Sequence, residues 1–247
     1  MTDVHPFVPV FRPRPFAVCH LLALVLLASW AWEPTRLFWD RFDDQIFFLL
    51  NQSLESEAWK AFWAVASLRP MDIVTGLVML LLVIRQDWGF DGSSAWRALF
   101  GFCALVVLLL VVRVAFSASV AALEWQRASP SLVVEDAVHL SELFPDWEVK
   151  DASSRSFPGD HASVALLWSL FLSLFVRGRR LLIVWILALL FMAPRLVAGA
   201  HWSSDDFVGG LTVALLTMAW GFYTPYAAHA AAWLEKRAQP LIALTAR

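Results

Sequence analysis

The chain has 247 residues, of which 60% are hydrophobic and only 16% are charged, and its formal net charge is −2. A soluble domain is nearer half apolar and a quarter charged, so this composition indicates a polytopic membrane protein. Without a basic surplus, the chain does not belong to the usual class of nucleic-acid-binding proteins. Cys19 and Cys103 both lie in apolar runs, and we expect packing residues there rather than a disulfide.

The first apolar run, residues 16–32, follows Arg12 and Arg14 in the manner of a signal peptide. Because no clear small-residue cleavage site follows it, we expect a retained first membrane span. Five further runs approach the length of about 20 residues that a helix needs to cross a bilayer core of about 30 Å. The predicted spans are residues 16–32, 70–85, 96–116, 161–176, 180–199 and 207–226. The predicted fold is therefore all-α, with six transmembrane helices in one domain over residues 1–247.

Two long connections separate these spans. Residues 33–69 carry apolar side chains at helical spacing, which predicts two short interfacial helices on the membrane surface. Residues 117–160 are the most polar part of the chain. The turn "RGRR" at 177–180 holds three arginines in four residues, and the positive-inside rule predicts that this side is cytoplasmic. With six spans, residues 117–160 and 200–206 then share the opposite face.

The same turn folds the fourth and fifth predicted spans into an antiparallel pair, so His161 and His201 are predicted to meet at one end of it. Arg195 lies six residues before His201, and Asp205 lies four residues after it. On a helix this carboxylate can accept the proton of one ring nitrogen of His201 and leave the other as a nucleophile. Arg195 offers planar donors to phosphate oxygens. Each residue alone is explained as well by an interfacial charge, but the whole pattern favours phosphate chemistry.

This cluster resembles the Ser-Arg-x5-His-x3-Asp signature of the type 2 phosphatidic acid phosphatase superfamily, with Pro194 in place of the serine. The stretch "PGDH", residues 158–161, resembles the Pro-Ser-Gly-His motif of that superfamily with two substitutions. The resemblance implies that His201 attacks a phosphorus atom, that Asp205 orients His201 and that His161 protonates the departing oxygen. It also implies that arginines hold the phosphate oxygens and that no metal or other cofactor is needed.

The first motif of that superfamily, Lys-x6-Arg-Pro, is where this sequence departs most. About 30 residues before "PGDH" the chain reads "EWQRASPSL", in which Arg127 precedes a proline by three positions and no lysine stands at the expected spacing. Arg69-Pro70 with Lys60 upstream is a second candidate, but its spacing is two residues too long and it lies about 90 residues before His161. We therefore assign Arg127 to the first motif.

The stretches "QRASPSL", "SELF", "KDASSRSFPGDH" and "PRLVAGAHW" together resemble a subgroup, the lipid A 1-diphosphate synthases, which are Kdo2-lipid A phosphotransferases of Gram-negative inner membranes. The resemblance implies that undecaprenyl diphosphate donates its distal phosphoryl group to a phosphate of lipid A at the periplasmic face, through a phospho-His201 intermediate. Lys150 and Arg155 precede "PGDH" and are predicted to contact phosphate. Asp160 is predicted to pair with an arginine or to favour a helix amino terminus.

Two other functions stay open. An undecaprenyl diphosphate phosphatase would cleave the same donor with water as acceptor. Transfer is favoured by the subgroup resemblance, and the surplus of Arg and Lys around 127–155 suits a second anionic lipid. A non-catalytic scaffold or lipid-binding membrane protein would have no need of two histidines converging with three arginines at one depth.

Overall fold

The computed structural model describes residues 7–85, 90 and 93–245. Within these ranges the chain is all-α, as predicted, and its β-structure is limited to one isolated bridge between Leu68 and Val149. The helices are α1 (Pro13–Ala31), α2 (Glu33–Asn51), α3 (Glu57–Ala66), α4 (Arg69–Ile84), α5 (Ser93–Ala122), α6 (Pro130–Val133), α7 (Leu140–Leu143), α8 (Asp160–Ser173), α9 (Arg179–Val197), α10 (Asp205–Phe222) and α11 (Tyr226–Thr245). Helix α10 is π-helical over Asp205–Gly210 and Met218–Phe222.

Each of the six predicted spans corresponds to a helix, namely α1, α4, α5, α8, α9 or α10. Among the helices of the described residues, Pro13–Ala31, Ser94–Ala122 and Arg179–Val197 are long and apolar enough to cross a membrane, and α10 with Tyr226–Ala238 adds a fourth if that bent pair is one span. Helices α4 and α8 have 16 and 14 residues, fewer than the roughly 20 that a span needs. The described residues thus form a membrane protein with three to four candidate spans, and the six-span topology stays a prediction.

Helix α8 lies at the centre of the fold, against α5, α9 and α10. Nine of its 14 residues are buried, so this short helix is surrounded by protein rather than by solvent or lipid. The Trp168 indole donates to the carbonyl of Met79 on α4 at 3.0 Å. Gly210 permits close contact with α10, because a Cβ there would lie 2.9 Å from the Cβ of Ala162. Packing on all sides therefore fixes the first turn of α8, which carries Asp160 and His161.

The prediction of two short helices in residues 33–69 is only partly right, because α2 has 19 residues and α3 has ten. Helix α2 packs against α1 and α9 and buries Asp43, Phe47 and Asn51 at four-residue intervals. The Asn51 carboxamide donates to the carbonyls of Val138 and Val197 at 3.2 and 3.1 Å. Helix α2 is longer than predicted because this buried stripe continues for its whole second half.

The antiparallel pairing of α8 and α9 agrees with the prediction, and residues 174–178 form the connection between them. Residues 123–159, which include α6 and α7, run from the end of α5 to the start of α8. They contact the turn after α9, where the Ser131 N–H donates to the Gly199 carbonyl at 3.1 Å. The first turn of α8, the turn after α9 and the polar segment 123–159 therefore meet at one end of the helix pair.

Candidate active site

His201 lies in the turn between α9 and α10, four residues after the end of α9. The chain turns here at Gly199, whose φ of +75° favours glycine. A Cβ at Gly199 would also lie 3.1 Å from the Phe47 ring. His201 therefore precedes the helix that carries Asp205, whereas the sequence predicted both residues on one helix.

The His201 ring is buried, and its Nδ1 lies 2.9 Å from the carbonyl oxygen of Ser156. Because a carbonyl oxygen can only accept, Nδ1 carries a proton and Nε2 of the neutral ring keeps its lone pair. Asp205 Oδ2 is 3.7 Å from Nδ1, beyond hydrogen-bond distance. Burial lowers the pKa of His201, but the carboxylates of Asp205 and Asp206 outweigh that effect and hold the pKa above its ordinary value.

Arg127 reaches the same turn from the polar segment, and carboxylates surround its guanidinium. Nε donates to Asp205 Oδ1 at 2.8 Å, Nη1 to Asp43 Oδ2 at 2.9 Å, and Nη2 to the Ser204 hydroxyl at 2.6 Å. Three of its five N–H groups are therefore engaged, which leaves at most two for a substrate. The predicted role of Arg127 as a phosphate ligand stays a prediction, and the contacts assign it a second task of holding the His201 turn.

Asp43 on α2 is a site residue that the sequence analysis missed. Its side chain is buried, and it accepts from the Ser204 N–H at 2.6 Å and the Ser204 hydroxyl at 2.7 Å, besides Arg127. Burial raises the pKa of Asp43, although Arg127 and Ser204 act in the opposite direction. Helix α2 thus clamps the residues between His201 and Asp205. Asp43, Phe47 and Asn51 follow one another at four-residue intervals, which places Asp43 on the buried face of α2 and is the signal that could have found it.

His161 and Arg195 converge on one further carboxylate, Asp72 of α4. Asp72 Oδ1 lies 3.0 Å from His161 Nε2, and Asp72 Oδ2 lies 2.9 Å from Arg195 Nη2. The other terminal nitrogen of Arg195 donates to the carbonyls of Ser67 and Lys150 at 2.8 and 3.1 Å. Arg195 is buried by these contacts. Like Arg127, it is held by protein groups, and its predicted phosphate contact stays a prediction.

The same residues line a cavity of about 300 Å³, which we call the His161 cavity. Its charged residues lie at one end, and most of the remaining wall is apolar. The polar end consists of Asp72, Arg113, Asp160, His161 and Arg195, and the apolar wall includes Met79, Leu109, Leu110, Val164, Ala165 and Phe191. An amphiphile with an anionic head and a hydrocarbon tail matches this division of polar and apolar surface.

Asp160, the first residue of α8, forms an ion pair with Arg113 of α5, so both predictions for Asp160 hold. Arg113 Nε is buried and has no hydrogen-bond partner among the described residues. On the other side of this ion pair lies a second cavity of about 340 Å³, which Arg155 lines and which we call the Arg155 cavity. Lys150 is exposed, and among the described residues it contacts the site through its carbonyl, so its predicted phosphate contact stays a prediction.

The structure brings the two histidine-centred groups together through the backbone. The Ala200 N–H donates to the Arg195 carbonyl at 2.9 Å, and the Gly159 N–H donates to the Asp205 carbonyl at 2.8 Å. Asp206, buried behind Gly159, leaves no room for a side chain there, because a Cβ on Gly159 would collide with its carboxylate. His161, Arg195, His201 and Asp205 therefore belong to one rigid end of the α8–α9 pair.

Within the described ranges, no three or more His, Cys, Asp or Glu side chains are grouped so that they could hold a metal ion. The acids that the structure adds to the site are instead partners of arginine or histidine. Asp72 and Arg113 had a signal in the sequence, because each is an ionisable residue within an apolar run, and such a charge is costly without a function or a partner.

Comparison with known proteins identifies the family. The sequence model of the PAP2 superfamily matches residues 98–229. The lipid A 1-diphosphate synthase of Escherichia coli (strain K12) is 34% identical over 207 residues, which cover 83% of this chain and 86% of that protein. The crystal structure of Aquifex aeolicus LpxE has 20% identity and a TM-score of 0.43, and the match covers 70% of this chain and 91% of that one.

The family match extends over more than half of the chain and includes Arg127, His161, Arg195, His201 and Asp205. The predicted resemblance to this superfamily is confirmed, as is the prediction of an enzyme rather than a non-catalytic membrane protein. The chain belongs to the PAP2 superfamily.

Proposed function

We propose that the chain transfers the distal phosphoryl group of undecaprenyl diphosphate to a phosphate of lipid A, which gives lipid A diphosphate and undecaprenyl phosphate. The proposal places the chain in the bacterial inner membrane as one six-span domain, with the active site facing the periplasm and the 177–180 turn in the cytoplasm. The relative at 34% identity, a lipid A 1-diphosphate synthase, supports this assignment.

The observation that carries the proposal is the state of the His201 ring. Its Nδ1 proton is held by the Ser156 carbonyl at 2.9 Å, so Nε2 is the nitrogen with a free lone pair. In the first step Nε2 attacks the distal phosphorus, and the bond from that phosphorus to the bridging oxygen breaks. The leaving undecaprenyl phosphate takes a proton from His161, the donor that we assign at the polar end of its cavity.

In the second step a phosphate oxygen of lipid A attacks the phosphorus on His201. The P–N bond breaks, its electron pair returns to Nε2, a P–O–P bond forms on lipid A, and the proton of the attacking phosphate passes to His161, which restores the proton donor. Asp205 acts through charge and through Arg127, with which it shares a hydrogen bond of 2.8 Å, rather than through direct contact with the ring. Arg113 supplies an N–H that is free of partners among the described residues, so it joins Arg127 and Arg195 as a candidate ligand of the donor phosphates.

The second candidate function is an undecaprenyl diphosphate phosphatase, in which water replaces lipid A in the second step. The exposed Arg155 and its cavity favour transfer, because water as acceptor needs no cationic surface. Purified enzyme incubated with undecaprenyl diphosphate labelled at its distal phosphorus, with and without lipid A, separates the two. We expect labelled lipid A diphosphate. Release of labelled inorganic phosphate alone, at the same rate with or without lipid A, would identify a phosphatase.

A further inference from the structure

The Arg155 cavity has no part in donor cleavage as described above. It is lined by Arg113, Ser117, Gln126, Arg155 and Asp160, with the apolar groups of Ala118, Ala121, Phe157 and Pro158. Arg113 and Asp160 line the His161 cavity as well, so their ion pair forms a wall common to both cavities. Two separate spaces therefore adjoin one guanidinium group.

The charges of the two cavities differ. In the His161 cavity, Arg113 and Arg195 face Asp72 and Asp160, so arginines and acids balance. In the Arg155 cavity, Arg113 and Arg155 face Asp160 alone, which leaves one guanidinium in excess. Arg155 is exposed, and no ion pair joins its guanidinium to any residue in the described ranges. Guanidinium groups bind phosphate oxygens through paired, charge-assisted hydrogen bonds, so the excess charge favours an anionic ligand of that kind.

The position of this cavity along α5 suits a lipid headgroup. Helix α5 has 30 residues and is therefore about 45 Å long, which exceeds a hydrocarbon core of about 30 Å. Ser117, Ala118 and Ala121 lie in its last two turns. The cavity is thus at an end of the helix that extends toward the polar layer, where lipid phosphates lie. Phe157 and Pro158 in its wall directly follow Ser156, whose carbonyl accepts from His201 Nδ1.

We propose that the Arg155 cavity binds the phosphate monoester headgroup of the acceptor lipid, with Arg155 and Arg113 as its phosphate ligands. This inference rests on the transfer reaction proposed above and assigns the two substrates to separate cavities. The donor diphosphate lies on the His161 side of the Arg113–Asp160 pair, and the acceptor phosphate lies on the Arg155 side. Arg113 then lies beside the donor diphosphate in the first step and beside the acceptor phosphate in the second.

The test uses full-length enzyme, undecaprenyl diphosphate labelled at its distal phosphorus, and lipid A. Labelled lipid A measures transfer, and labelled inorganic phosphate in its absence measures donor cleavage followed by hydrolysis. Arg155→Gln removes the excess charge, and Ala121→Phe fills the cavity without any change of charge. Arg41→Gln is the matched control, because Arg41 is an exposed arginine on α2 that lies outside the residues lining the Arg155 cavity.

We expect Arg155→Gln to lower the rate of transfer by about ten-fold or more, because it removes one charge-assisted hydrogen bond to the acceptor phosphate. The rate of hydrolysis without lipid A should stay within about three-fold of wild type. Ala121→Phe should give the same split, and Arg41→Gln should change neither rate. Unlabelled inorganic phosphate in place of lipid A should accept little label. If it accepts label as well as lipid A does, the cavity does not select a lipid headgroup and the assignment is overturned.

Two further results would overturn the proposal while the transfer function stands. One is normal transfer in both Arg155→Gln and Ala121→Phe. The other is a parallel loss of transfer and hydrolysis, which would assign the cavity to the donor. If the wild-type enzyme gives no labelled lipid A at all, the proposed transfer function itself is wrong, and the acceptor proposal is wrong with it.

Discussion

His201 carries one fixed proton, because the Ser156 carbonyl that faces its Nδ1 at 2.9 Å can only accept. The neutral ring is therefore oriented for attack through Nε2 before any substrate arrives. Two carboxylates, Asp205 and Asp206, hold the pKa of His201 above its ordinary value against the effect of burial. The orientation and the protonation of the proposed nucleophile thus have different sources in the structure.

That raised pKa predicts the pH dependence of the reaction. Attack requires neutral His201, so kcat/KM should fall as the pH decreases through the raised pKa of the free enzyme. Protonated His201 is stabilised by the two carboxylates in the folded state, so its contribution to stability is fully present at low pH and is lost as the pH rises through the same pKa. In Asp205→Asn one raising charge is gone, and the acidic limb of the profile should move to lower pH. An unmoved limb, or one at higher pH, would exclude His201 as the titrating group.

Arg127 has a structural task in addition to its predicted phosphate contact. Its guanidinium bonds Asp43 at 2.9 Å and Asp205 at 2.8 Å, and both acids are buried. Arg127→Ala should therefore lower the free energy of unfolding by about 3–5 kcal/mol, since it leaves buried carboxylates unpaired, and lower kcat by about 100-fold or more.

Thermal unfolding in detergent and initial rates measure the two effects of Arg127→Ala. Arg127→Lys, which keeps the positive charge, is the matched variant and should recover part of the stability. A stable Arg127→Ala enzyme with near-normal rates would show that Arg127 is not the first-motif arginine and would reopen the Arg69 assignment.

At the scale of elements, α2 acts as a clamp on the catalytic turn. Asp43 bonds both the N–H and the hydroxyl of Ser204, at 2.6 and 2.7 Å, and Asn51 bonds the last carbonyl of α9. Ser204 separates His201 from Asp205 and α10. A helix that lies outside the family match, which begins at residue 98, thus fixes the position of residues within it.

Asp43→Asn tests this clamp. Asp43 accepts hydrogen bonds at both carboxylate oxygens, whereas the asparagine amide has one acceptor oxygen. We therefore expect the free energy of unfolding to fall by about 1–3 kcal/mol, and kcat to fall with little change in KM. Asp43→Glu should recover part of kcat. Asp44→Asn is the control, because Asp44 is the exposed neighbour on the same helix. Equal effects of the Asp43 and Asp44 variants would show that α2 does not position the site.

Elements and their contacts were predictable to different degrees. The helices at the six predicted spans follow from apolar runs, which are a local property of the sequence, and the antiparallel α8–α9 pair follows from the tight turn between them. The acids that hold the site are not local: Asp43 lies 84 positions from Arg127, and Asp72 lies 123 positions from Arg195. No pattern within a single element states which arginine a distant aspartate will meet. These pairings engage Arg127 and Arg195, two of the predicted phosphate ligands, with protein groups.

The whole molecule places every proposed catalytic group at one end of a central helix pair. Helix α8 is surrounded by α5, α9 and α10, and its first turn faces the turn after α9. Two cavities open at this end on either side of the Arg113–Asp160 pair. Such an arrangement allows one nucleophile to serve two lipid substrates in succession, which is the central claim of the proposed function.

The phosphoenzyme is the most direct test of that claim. Enzyme is mixed with undecaprenyl diphosphate labelled at its distal phosphorus, and one half is quenched at once under alkaline conditions that preserve phosphohistidine, while lipid A is added to the other half before its quench. Wild type should carry acid-labile label that later moves to added lipid A, and His201→Ala should carry none and show neither donor cleavage nor transfer. Label that persists on His201→Ala enzyme would assign the nucleophile to another residue and contradict the mechanism.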